Sequence, residues 1–164
     1  MDELVARAER IGARLKARGE TVAVAESAAG GLITAALLAV PGASAWCRGG
    51  IVIYTLQGWE ALRDFDKALL GGHRSATEGN ALVRARLARE RFAAAWGIGE
   101  TGAAGPTGNR YGDPAGHAWV AVAGPAEASF KVLTGRNDRL RNMHAFAAAA
   151  LRLLDESLTA AGER

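Results

Sequence analysis

The chain has 164 residues, 49% apolar and 23% charged, with a formal net charge of +3. That length suits a single domain with its own core. The lone Cys47 excludes an internal disulfide framework and points to a reducing compartment. No run reaches the roughly 18 apolar residues of a membrane span, so a cytoplasmic protein without a membrane partner is expected. The basic residues accompany no nucleic-acid-binding motif, and no nucleic-acid partner is expected.

In chain order, Asp2 to about Arg18 reads as a helix, with Leu4, Ala8, Ile11 and Leu15 at helical spacing and Gly19 closing it. Thr21–Ala25 is a short apolar run suited to a buried strand. Ser27–Gly31 turns into a second helix carrying Leu32, Ile33, Ala36 and Leu37, stopped by Pro41-Gly42. Gly49–Thr55 is the next strand, and Gln57 to Phe65 is ambiguous. Thr77–Ala95 is a helix with Ala81, Ala85, Ala88, Phe92 and Ala95 on one face. Its Arg84, Arg86, Arg89 and Arg91 read as a solvated face. Gly97–Thr101 reads as a strand with a charged anomaly at Glu100, for which an edge position facing water is the plain explanation. Pro106–Gly116 is a loop of turn formers. His117–Gly124 and Ala128–Gly135 pair as strands, and Asn137 to Ala160 is the last helix, with Leu140, His144, Ala147, Leu151, Leu154 and Leu158 as its seam. This alternation predicts one three-layer α/β/α domain with a mixed sheet over residues 1–164.

Two Gly-bearing segments follow predicted strands: Val22–Gly31 and Thr101–Pro106. Ligands of α/β folds bind outside the carboxyl ends of strands. The alternative is tight turns that need Gly only for positive φ. Ser27, Ser44, Tyr54 and Thr101 are the hydroxyl candidates near strand ends. A Ser nucleophile needs a base within reach. His73 lies in a loop, His117 begins a strand, and His144 reads as a core histidine. G-x-S-x-G, a P-loop, a full G-x-G-x-x-G and a His/Cys zinc cluster are all absent, so neither metal nor cofactor is expected. Arg141, near the start of the last helix, either holds a phosphate or carboxylate there or faces solvent. Cys47 reads as packing.

At these residues the chain resembles the CinA C-terminal domain family, whose enzymes are nicotinamide mononucleotide (NMN) deamidases. The family's ESCTGG looks like Glu26–Gly31. Its PGSSAWF stretch with a later Gly and Tyr resembles Pro41–Trp46, Gly50 and Tyr54. Its TGIAGP resembles Thr101–Pro106, and the following P-x-G-x-V-W resembles Pro114, Gly116 and Trp119. The resemblance implies a metal-independent amidohydrolase acting on NMN, with the nucleophile at Ser44 and a catalytic Tyr at Tyr54. It implies substrate contacts at Ser27, Gly30, Gly31, Thr101, Gly102, Gly105 and Arg141, and a homodimer.

One departure bears on catalysis. The family Lys falls on Trp59. Losing general-base help costs on the order of 10² to 10⁴ in rate. The expected function is therefore that of a CinA-like protein with absent or reduced hydrolysis. The alternatives are a non-catalytic paralogue that binds a nucleotide or related metabolite, and an interaction subunit. His73 and Lys67 are the bases nearest in sequence to replace the Lys.

Overall fold

Alternation of large and small residues along the central strands decides how the layers stack. In this computed structural model, which describes residues 1–63 and 65–162, five strands form one sheet. They are β1 (Val22–Glu26), β2 (Cys47–Val52), β3 (Trp96–Ala103), β4 (His117–Ala123) and β5 (Ala128–Leu133), in the order β2-β1-β3-β4-β5. β2, β1 and β3 are parallel, and β4 and β5 add antiparallel. Successive side chains of a strand point to opposite faces. Val22, Val24, Trp96, Ile98, Val120 and Val122 therefore share one face with large aliphatic partners. Ala23, Ala25, Ala121 and Ala123 share the other with Gly97 and Gly99.

The large-residue face carries α1 (Asp2–Arg18), α2 (Leu32–Leu38) and α5 (Arg139–Gly162), which bury Leu4, Ile11, Leu15, Ile33, Leu37, Phe146, Leu151 and Leu154 against it. The other face carries α4 (Glu78–Arg91), whose Ala81, Ala85 and Ala88 meet the sheet. A Cβ on Gly97 or Gly99 would collide with the carbonyl oxygens of Ala85 and Ala81, so α4 rests on the backbone of β3 itself. The result is the three-layer α/β arrangement with a mixed sheet. No helix among the described residues is long and apolar enough to cross a membrane.

Several boundaries differ from expectation. α4 ends at Arg91 because Ala93 takes a left-handed φ of 46° and Ala94 N–H bonds back to the Arg89 carbonyl. β2 ends at Val52, because Thr55 becomes the cap of the short helix α3 (Leu56–Glu60), its hydroxyl accepting from Gly58 N at 3.1 Å. α5 buries Asn142, Phe146, Ala150 and Leu153 in its seam, whereas Leu140 is 61% exposed and His144 is half-buried. Glu100 does not face water. It lies in β3 at the middle of the sheet and is fully buried.

Candidate functional site

The parallel strands β1, β2 and β3 all end at one edge of the sheet, and the turn after β1 is built by two carboxylates. Glu26 Oε2 accepts from Gly31 N at 3.0 Å and Ile33 N at 3.1 Å, and its Oε1 accepts from Thr34 N at 3.0 Å and Thr34 Oγ1 at 2.6 Å. The first N–H groups of a helix have no partner within it and favour negative charge. Glu26 supplies both acceptor and charge to α2. Gly31 begins α2 at φ +99°, where an L side chain would be strained. Gly30 gives its space to Met143.

Glu100 reaches into the same turn from β3. Its Oε2 accepts from Ser27 N at 2.9 Å and Ala29 N at 2.8 Å, while Oε1 is buried without a partner among the described residues. Burial pushes this carboxyl up to about 7, against the pull of the Ala29 and Ser27 N–H groups and of the Arg84 charge. Arg84, expected on a solvated face, is instead 1% exposed. Its Nε donates to Asn80 Oδ1 at 2.9 Å and its Nη1 to the Ile53 carbonyl at 3.0 Å. Its guanidinium lies 4.8 Å from the centroid of the Trp59 ring. Burial lowers its pKa to about 10, so it stays a cation at neutral pH. Trp59 is 4% exposed and also packs on Phe65 with ring centroids 5.4 Å apart.

Above Arg84 opens a cleft of about 640 Å³. One wall is Tyr54–Gln57 with Trp59, another is Lys67, Leu70 and His73–Ser75, and the third is Asn109–Tyr111. Its cations are Lys67, Arg74, Arg84 and Arg110, and none of the described residues lining it is acidic. Asn109 shapes the third wall, its Oδ1 accepting from Tyr111 N at 3.0 Å and Asp113 N at 3.1 Å. Tyr111 stacks between Arg74 and Arg110, whose guanidiniums lie 5.0 and 4.9 Å from its centroid. Arg74 is fastened to Asp113 at 2.6 Å, and that bond holds the Asp113 carboxyl below its ordinary range.

Of the residues expected at the site, Tyr54 alone lines this cleft among the described residues. Ser27 lies beside it across the β1–β2 pair, where Ile53 N donates to the Glu26 carbonyl at 2.9 Å. Ser27 is 7% exposed. Thr101 is buried behind the cleft, and its Oγ1 accepts from Ala76 N at 3.0 Å. His117 Nε2 meets the Ala76 carbonyl at 2.8 Å. These two contacts clamp Ala76 at φ 59° and set the 73–77 loop. Gly102 packs on Ala118 of β4, and Gly105 offers its carbonyl to Arg139 Nη1 at 2.6 Å.

Two expected residues are elsewhere. Ser44 lies in the turn Ala43–Ala45 before β2, exposed, and Trp46 beside it bonds to Val22 at the start of β1. The six residues of β2, at roughly 3.3 Å each, separate it from Tyr54 by about 20 Å. It is at the wrong end of the sheet to act with Tyr54. Arg141 is paired with Asp138 at 3.3 Å and lines a separate groove with Asp2, Glu3, Leu140 and His144. Two residues earlier, on another face of α5, Arg139 takes the place expected of it, its Nη2 donating to Tyr54 Oη at 2.7 Å. Cys47 is buried, and burial raises its thiol pKa. No group of three His, Cys, Asp or Glu among the described residues is placed to hold a metal ion.

A carboxylate-capped turn and a basic, aromatic-walled cleft thus lie at the edge where the parallel strands end, the position at which α/β folds bind ligands. The model of the CinA C-terminal domain matches residues 5–158, and the chain belongs to that family. It is 42% identical over 145 residues to a CinA-like protein of Anaeromyxobacter sp. (strain K), covering 87% of this chain and 36% of the relative. It is 36% identical over 144 residues to one from Acidobacterium capsulatum, covering 88% and 35%. The chain thus spans about a third of the length of these curated relatives. Among solved structures, the competence/damage inducible protein CihA of Agrobacterium tumefaciens superposes with a TM-score of 0.85 at 28% identity, covering 95% of each chain. A CinA superfamily protein of Klebsiella pneumoniae gives 0.86 at 24% identity, covering 95% of this chain and 98% of that one, a likeness of fold.

Proposed function

We propose that this domain binds a small anionic metabolite of the pyridine-mononucleotide kind in the cleft, and hydrolyses the carboxamide of NMN at least about a hundredfold more slowly than a Lys-bearing site. Trp59 carries this reading. It stands where the resemblance puts the family Lys, is buried, and is covered by a guanidinium that remains protonated at neutral pH. Neither group can take a proton from a hydroxyl. With Ser44 at the far end of the sheet and Ser27 outside the cleft lining, neither expected serine stands in the cleft with Tyr54. The cations Lys67 and Arg110 at the cleft walls suit a phosphate, and the exposed Tyr54 suits a ring.

A second reading, hydrolysis with a recruited base, is favoured by one observation: Lys67 and His73 line the same cleft as Tyr54. Ammonia release from NMN by the purified chain, beside thermal shifts with NMN and nicotinate mononucleotide, separates the readings. Little ammonia and a raised melting temperature are expected, because a ligand of the folded state stabilises it. Turnover comparable with Lys-bearing relatives would overturn the catalytic half, and no shift with either nucleotide would overturn the binding half. A homodimer is proposed from family resemblance alone, and sedimentation at micromolar concentration tests it.

A further inference from the structure

Arg84 is a buried cation bordering the cleft, with donors unused among the described residues. A guanidinium carries five N–H donors in a planar fork. One from Nε and one from Nη1 are taken by Asn80 and Ile53. Among the described residues Nη2 has no partner. The side chain is 1% exposed and borders the cleft. Trp59 covers a face of the guanidinium and holds its plane. Glu100, whose charge acts on Arg84, has Oε2 occupied by Ser27 N and Ala29 N and makes no hydrogen bond to it. A buried charge is costly unless hydrogen-bonded and paired. Among the described residues no acceptor meets Nη2, and Arg84 borders the cleft.

We propose that Arg84 selects a ligand bearing a planar carboxylate over the matching carboxamide. The inference rests on the mononucleotide reading of the cleft and deepens it. A carboxylate offers two equivalent acceptor oxygens to the guanidinium fork and brings the opposite charge. A carboxamide offers one acceptor and turns an NH₂ donor against the cation. The ligand class is thus an aromatic acid on a phosphate ester, with its acid group at Arg84 and its phosphate toward Lys67 and Arg110. Trp59, which covers this guanidinium, stands where the chain departs from the family pattern it resembles. The cleft then holds the acid where a Lys-bearing site would consume the amide.

Nicotinate mononucleotide and NMN differ at that one group. Calorimetric titration of the wild-type chain with each is expected to give an acid-form Kd at least about tenfold lower. Arg84→Met is expected to abolish the preference, with the acid form losing more affinity than NMN. Arg84→Lys keeps the charge without the fork, and is expected to lower the preference severalfold should the Met variant fail to fold. Equal binding of both nucleotides, or tighter binding of NMN, overturns the carboxylate preference and leaves the mononucleotide reading standing. Binding of neither overturns both. An undiminished preference in the folded variants overturns Arg84 as its source.

Discussion

Glu100 joins β3 to the β1 turn through one carboxylate oxygen and leaves the other unpartnered. Its folded pKa of about 7 stands above the ordinary 4.5. A carboxyl shifted upward favours folding while protonated. Its contribution is present in full below pH 4.5 and is lost as pH rises through about 7. The shift corresponds to about 3 kcal/mol. Glu100→Gln keeps an acceptor for Ser27 N and Ala29 N and places an amide where Oε1 lies. Urea denaturation at pH 5 and pH 8 is expected to show most of that pH-dependent loss removed in the variant, which becomes the more stable protein at pH 8. Trp59 gives a second test at this scale. It is buried between Arg84 and Phe65, so Trp59→Ala is expected to cost about 3–5 kcal/mol, read as a lower denaturation midpoint, with Arg84 left unstacked.

Among the elements, α2 depends most visibly on a single side chain. Seven residues are too few to be helical alone, and Glu26 satisfies three of the backbone N–H groups at or near the start of α2. Glu26→Ala is expected to destabilise the chain by at least about 2 kcal/mol and to abolish hydrogen-exchange protection in Leu32–Leu38 before the rest of the fold. The helices and strands themselves were legible, because their apolar spacing reports which face is buried. What a polar side chain does inside the fold was not. Arg84 reads as surface by type, and only the packing of Ala81 and Ala85 on β3 turns it inward. Arg139 and Arg141 look equivalent in sequence, and the helical step between them sends one to Tyr54 and the other to a different groove. Ser44 was misplaced because motif matching carries no direction. A residue before β2 and one after it lie at opposite ends of a parallel sheet.

At the scale of the molecule, the cleft is basic while the whole chain is only +3. Attraction between exposed charges is screened by salt. Affinity for either mononucleotide is therefore expected to fall between 50 and 500 mM salt, and Lys67→Ala to flatten that dependence. Titration calorimetry across the salt series checks both.

The two sides of the sheet also differ in the substitutions they can accommodate. Between α4 and β3 there is no cushion of side chains, only alanines, glycines and main chain. The opposite side can exchange one aliphatic for another with repacking. The α4 side can accept no enlargement at all. A saturation scan should show Val22, Val24 and Val120 tolerating Ile or Leu, while Gly97, Gly99, Ala81 and Ala85 tolerate no larger residue. The height of Arg84 above the sheet is thereby set by backbone alone. Repacking on the opposite side of the sheet therefore leaves the floor of the cleft in place.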